Sequence, residues 1–157
     1  MMSDVPHTRP ISVFAGSENE ALRSALGLEK PTYEGPAGIL TVLSTAAEAA
    51  GIPCAALWAS VPHYVAGHTP SPKATAALLT AIETLLDAPI DHGDLDEDGR
   101  AWQRGVDELA QGDPDIAEYV ESLEEAQDTA ELPEASGDAI AKEFERYLRR
   151  RGEEPTP

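Results

Sequence analysis

The chain has 157 residues, 41% of them apolar but only 5% aromatic, enough for one soluble domain with a modest core. A formal net charge of -18 repels phosphate backbones and anionic lipid, which excludes nucleic acid and membrane surfaces as preferred partners and favours basic ones. One cysteine, Cys54, excludes an internal disulfide framework, and no apolar stretch approaches a membrane span.

At the N-terminus no charged segment is followed by an apolar run, so no signal peptide is expected and the chain reads as cytoplasmic. Residues 10–15 supply the first expected strand, with Ile11, Val13 and Phe14 as its apolar side chains. Gly16 and Ser17 turn the chain, and Ser17 with Glu20 reads as a capping box for a short helix through Leu26. A brief extended piece around residues 31–33 is a candidate further strand. Gly35, Pro36, Ala37 and Gly38 then open a helix, since proline suits the first helical turn. Ile39, Leu40, Val42, Leu43, Ala46, Ala47 and Ala50 recur at helical spacing along it. Gly51 ends it as a left-handed cap with Pro53 beyond.

Residues 54–61 run Cys-Ala-Ala-Leu-Trp-Ala-Ser-Val without polar alternation, the pattern of a strand covered on both faces of a parallel sheet, stopped by Pro62, His63 and Tyr64. Ser71 and Pro72 form an N-cap and first-position pair for a helix whose stripe is Leu78, Leu79, Ile82, Leu85 and Leu86. Beyond Leu86 the chain becomes acidic: residues 94–134 hold 15 acidic and 2 basic side chains. Apolar residues nevertheless recur as Leu95, Trp102, Val106 and Leu109, then Ile116, Tyr119, Val120 and Leu123, so these are amphipathic helices, separated at Gly112, Asp113 and Pro114. A last helix carries Ile140, Phe144, Tyr147 and Leu148, with Arg149, Arg150 and Arg151 at its dipole-favoured end.

The expected fold class is therefore α/β: a small, mostly parallel sheet of two or three strands flanked by helices, with an all-helical C-terminal extension. The expected organisation is an α/β unit over residues 1–90, a helical extension over 91–152 packed on it within one domain, and a disordered tail over 153–157.

The segments YEGPAGILTVL, LWASVPHYV, SPKATAALL and LPEASGDAIAKEFERYLRRR resemble the proteasome assembly chaperone 2 family in its bacterial branch. The resemblance covers nearly the whole chain, but family members are commonly about twice as long, so this chain resembles their C-terminal half. It implies an α/β sandwich related to nucleoside phosphorylases and hydrolases, oligomeric assembly, and in some relatives a chaperone role toward proteasome subunits. Chaperones of this group often dock through a C-terminal hydrophobic-tyrosine-any tail. The sequence here ends Glu-Glu-Pro-Thr-Pro, so any docking is expected to use the domain face or an oligomer interface. Absent strands would expose one sheet edge and the apolar faces packed on it.

Candidate ligand-binding residues fall in three places. Glu34, Gly35 and Gly38 sit at a helix start, where free amides can meet a carboxylate or phosphate, although Glu34 itself repels anions. His63 and Tyr64 follow the end of the buried strand, where open α/β sheets place a ligand crevice. His7, Thr8 and Arg9 precede the first strand and could complete one pocket, with histidine as switchable base and arginine as anion clamp. Each has a plain alternative: strand-to-helix punctuation for the glycine turn, a hydrogen-bonded turn residue for His63. Lys73 reads as solvated. Cys54 reads as buried and inert, and Trp58 and Trp102 as packing anchors.

Asp94, Asp96, Asp98 and Gly99 match the opening of a calcium loop, yet its twelfth position is Gly105 in place of the bidentate glutamate. No zinc spacing and no nucleophile elbow occur. No metal, cofactor or catalytic residue is expected. The function these features support is a non-enzymatic protein-interaction or assembly-chaperone-like role, with proteasome subunits or the chain itself as partner and a homo-oligomer as the expected state. The alternative is a small-molecule-binding or nucleoside-processing enzyme with its pocket near the Gly-Pro turn and the end of the buried strand.

Overall fold

The computed structural model describes residues 1–32, 35, 38–65 and 70–131. In chain order these form β1 (Met2–Ser3), β2 (Val13–Gly16), α1 (Glu20–Leu26), α2 (Ile39–Ala49), β3 (Ala56–Ala59), β4 (Val61–Pro62), a 3₁₀ turn (His63–Val65), α3 (Pro72–Leu86), α4 (Leu95–Gly112) and α5 (Pro114–Glu131). The architecture is α/β, as expected, with few strand residues and five helices among the described residues. Glu34 and the expected last helix lie outside the described residues.

The helix boundaries follow local chemistry. Ser71 accepts from the Ala74 N–H, with Pro72 in the first position of α3. Asp113 accepts from the Asp115 N–H where Pro114 opens α5. Gly51 adopts φ 79° just past α2, in the left-handed region where a side chain would be strained. The cap of α1 differs from expectation: Asn19, not Ser17, accepts from the Leu22 N–H. Ser17 is instead consumed by the strands, its hydroxyl donating to the Cys54 carbonyl at 2.6 Å.

The strands give the main correction. β1 and β4 pair in parallel, but β2 and β3 run antiparallel, Phe14 opposite Trp58 and Val13 opposite Ala59. An apolar run rich in alanine shows no polar alternation whichever way its neighbour runs, so it carries no information about direction. The segment from β3 through β4 is shared by both ladders. Its N–H and C=O groups alternate between edges: Ser60 donates to Ser12 in line with β2, whereas Ala59 and Val61 bond Met1 on the opposite side. By the same alternation Leu57 points to the β1 side, ahead of the residues that β1 reaches. On the other flank of β2, Gly16 bridges Glu29, where a Cβ would come within 3.1 Å of the Glu29 carbonyl oxygen. Of the expected extra strand at residues 31–33, residues 31 and 32 lie in no strand and the bridge at Glu29 stands just upstream, while Tyr33 lies outside the described residues.

Helix α3 packs on β2 and β3, and α4 packs along α3 and α5. Close approach of α3 and α4 centres on Gly99, where an added Cβ would sit 3.5 Å from the Lys73 backbone. The buried apolar residues are small or branched: Ala59, Val65, Ala74, Val106, Ala110 and Val120. The ladder face toward α3 includes Ala59. The other face carries Phe14, 52% exposed, beside Trp58, 42% exposed, so this strand is not covered on both sides and Trp58 is no core anchor. Helix α2 buries none of its residues, and Ile39, Leu40, Val42 and Leu43 are all about half exposed or more.

Candidate functional site

The expected site residues separate into a bonded group and an isolated pair. Pro6 and His7 are buried, and the turn over residues 7–9 brings His7, Thr8 and Arg9 against three later elements. His7 is 1% exposed. Its Nδ1 lies 2.8 Å from the Tyr64 hydroxyl, which also accepts the His7 backbone N–H at 2.9 Å. Its Nε2 lies 2.9 Å from Asp107 Oδ1 on α4. A carboxylate only accepts, so in the neutral ring Nε2 carries the proton and Nδ1 accepts from the Tyr64 O–H. Lys73, expected in solvent, instead donates to the His7 carbonyl at 2.7 Å and to Gln103 Oε1 at 2.8 Å.

The next two residues reach α5. Thr8 donates to Glu124, and Arg9 forks onto Asp128 through Nε and Nη2 at 2.8 and 2.7 Å while Nη1 stands 3.5 Å from Glu124. Glu124 and Asp128 are one helical turn apart, which is why one arginine spans both. His63 is 3.1 Å from Asp4, and its ring meets Tyr64 and Tyr119 edge to face at 5.9 and 5.5 Å. Tyr119 donates to Asp4 at 3.3 Å.

Burial pushes the Tyr64 phenol up to about 12, against the His7 N–H that favours its ionised form. Burial lowers Lys73, opposed by the nearby Asp107 charge. The Arg9 hydrogen bonds hold Asp128 below the usual carboxylate range. Burial thus keeps the Tyr64 hydroxyl protonated, as a donor to His7 Nδ1 while His7 Nε2 faces Asp107. What this Tyr-His-Asp chain does physically is tie the N-terminal turn to the 3₁₀ turn and to α4.

Two open clefts flank the tie. One, about 290 Å³, is lined by His7, Thr8, Asp107, Glu121 and Glu124 among others, and the second, about 350 Å³, by Tyr64, Val65, Val106 and Ile116. The pocket expected between the Gly-Pro turn and the strand end differs from both: neither cleft is lined by Gly35, Gly38 or His63. Gly38 caps α2 without a side-chain bond, and Gly35 is exposed. Among the described residues no histidine, cysteine and carboxylate group could hold a metal, and residues 95–98 of the calcium-like opening are the first turn of α4. Asp107, Glu124 and Asp128 were not singled out by sequence; their only signal is helical spacing on the face of α4 and α5 that carries Val106, Val120 and Leu123.

Compared with known proteins, residues 1–110 match the PAC2 family. The crystal structure of a PAC2 family protein from Streptomyces avermitilis is similar with a TM-score of 0.67 and 48% identity, covering 76% of this chain and 50% of that one. A Mycobacterium tuberculosis proteasome-assembly chaperone homologue gives 0.62 and 43%, over 76% of this chain and 50% of its own. A Corynebacterium glutamicum protein of unknown function gives 0.69 and 26%, over 86% and 49%. No curated protein matches. The chain spans about half the length of these structures. With a family match over more than half its residues and close identity over three quarters of them, the chain belongs to the PAC2 family.

Proposed function

We propose that this chain is a non-enzymatic, assembly-chaperone-like protein that acts in the cytoplasm by binding another polypeptide, with proteasome subunits as the client class. The observation that carries the reading is the open apolar surface: Phe14 and Trp58 on one ladder face, and Ile39, Leu40, Val42 and Leu43 on α2, in a chain whose exposed charged positions on α4 and α5 are mostly acidic. Scattered exposed apolar residues are ordinary, but a strand pair and a whole helix face left open mark an interaction surface. Membership of the PAC2 family, with a proteasome-assembly chaperone homologue among its structural relatives, supports the client class. No described helix is long and apolar enough to cross a membrane.

Burying one such side chain contributes ~1.5–3 kcal/mol, so covering six that are about half exposed contributes ~5–10 kcal/mol. Association costs ~4–15 kcal/mol, so the apolar contact alone is marginal and the partner must add directional bonds. The test is light scattering on size exclusion, with purified proteasome subunits and with the chain alone, alongside hydrophobic-dye binding. A complex that is lost in Trp58→Glu or Leu43→Glu supports the reading. A monomer that binds neither dye nor subunits overturns it.

A further inference from the structure

We infer that the acid-rimmed groove beside the α4–α5 turn docks a basic segment of a partner protein, one apolar side chain entering the larger cleft while neighbouring lysines or arginines meet the carboxylates around it. Neither cleft is lined by Phe14, Trp58 or any residue of α2, so this surface goes beyond the protein-binding reading above and stands or falls without it. The groove follows from helical spacing. Val106, Leu109 and Asp113 recur at three- and four-residue steps along α4, which turns them together toward the 3₁₀ turn and the start of α5. Val65 and Val106, 3% and 4% exposed, are the floor of the larger cleft, while Tyr64, Leu109 and Ile116 stand around it. Leu109 is 48% exposed there, an apolar side chain beside Glu108. At about 350 Å³ the cleft is at the small end of ligand cavities, ~300–1,000 Å³, a size that suits one large side chain better than a cofactor.

The rim sets the sign of the occupant. Glu108 and Asp113 line the larger cleft, and Asp107, Glu121 and Glu124 line the smaller one, which shares Ala110 with it. No lysine or arginine lines either cleft. Internal partners account for part of this charge: Asp107 faces the His7 ring and the nearby Lys73, and Glu124 takes Thr8 and Arg9. Glu108 and Glu121 make no ion pair among the described residues, so a basic side chain can meet them without breaking an internal bond. An apolar floor inside a ring of carboxylates selects a segment that is cationic and apolar together, since a bare polycation leaves the floor uncovered. The formal charge of -18 draws such a segment in at long range, and for the same reason makes a second copy of this chain the poorer occupant.

The experiment measures fluorescence anisotropy of a dye-labelled lysine-leucine peptide titrated with the full chain. Saturable binding is expected, weakened about tenfold or more when serine replaces the leucines and lost when glutamate replaces the lysines. Glu108→Gln with Glu121→Gln should weaken it by about three- to tenfold. Glu18→Gln with Glu20→Gln removes the same charge from residues lining neither cleft and should leave it unchanged, as should Trp58→Glu. Leu109→Ser should weaken it; if that variant unfolds, the serine-for-leucine peptide makes the same comparison on the unaltered chain. Equal weakening by both glutamate pairs, or binding indifferent to leucine, shows adsorption to net charge alone and overturns the inference. No binding overturns it as well, and so does binding that emerges only once alanine replaces Arg149, Arg150 and Arg151, which makes this chain's own basic cluster the occupant. Each of these failures leaves the Phe14 and Trp58 reading standing, because that reading is scored on proteasome subunits and dye.

Discussion

Tyr64→Phe isolates the tie that holds the N-terminal turn. The substitution removes one oxygen and keeps the ring, so its edge-to-face contacts with His7, His63 and Tyr119 survive. That oxygen serves two groups of His7, the backbone N–H at 2.9 Å and Nδ1 at 2.8 Å, in a residue 1% exposed. Neither can turn to water without opening the turn. Stranding a buried polar group costs ~1–3 kcal/mol; because Tyr64 is itself only half-buried, the lower end applies to each, giving ~2–3 kcal/mol in total. At a urea slope of ~1–3 kcal/mol/M the unfolding midpoint should fall by ~1 M or more, with the slope itself unchanged. Tyr119→Phe is the matched control, since its hydroxyl makes one exposed bond of 3.3 Å and should cost less than ~0.5 kcal/mol. If Tyr64→Phe unfolds within about 0.5 kcal/mol of the parent, as little as the control, the hydrogen-bonded tie is not a stabilising element and the reasoning fails.

Alkaline titration should show Tyr64 ionising late, because it is raised from 10.0 to about 12, with Tyr119 raised as well by partial desolvation and the Asp4 charge. The folded state then holds that proton more tightly than the unfolded one, so its contribution is complete below pH 10 and is lost as pH rises toward 12; absorbance of phenolate in the parent and in Tyr64→Phe checks this. Asp128 works with the opposite sign: its lowered folded value gives stability that is present at neutral pH and lost as pH falls through the carboxylate range. Arg9→Met should flatten that acid limb, measured as unfolding midpoint against pH, and an unchanged limb would remove Arg9 as its cause. At Gly99 a methyl meets Lys73 at ordinary contact distance, so Gly99→Ala should be neutral or raise stability by up to ~1 kcal/mol through helix propensity. Gly99→Leu must instead separate α3 from α4 and should cost ~1–3 kcal/mol in the same urea assay.

What the sequence discloses about this molecule divides along chain distance. Helix ends are written in neighbouring residues: Ser71 with Pro72, Asp113 with Pro114, and Gly51 each act on amides within four positions, and each behaves as expected. Asn19 escaped because Ser17 satisfies the same capping pattern, and only the distant Cys54 carbonyl decides which of the two is free to cap. Strand direction is less legible still. Phe14 meets Trp58 across an antiparallel ladder, and nothing in residues 54–61 distinguishes that neighbour from a parallel one. Of the expected ligand group, the structure joins His7 to Tyr64, whereas Thr8 and Arg9 are taken up by Glu124 and Asp128. Those partners lie more than 100 residues away, on helices whose acidic residues read as a solvated face. The same bias explains the opposite error at Lys73, placed in water by its position near a helix start but drawn inward by the carbonyl of His7. Local rules therefore located the punctuation of this chain, while long-range pairing decided which charged side chains became internal ties and which apolar ones were left uncovered. The α2 stripe shows the second outcome most clearly: its spacing is that of a packed helix, yet Ile39, Leu40, Val42 and Leu43 stay open, and this is the surface that the proposed partner would cover.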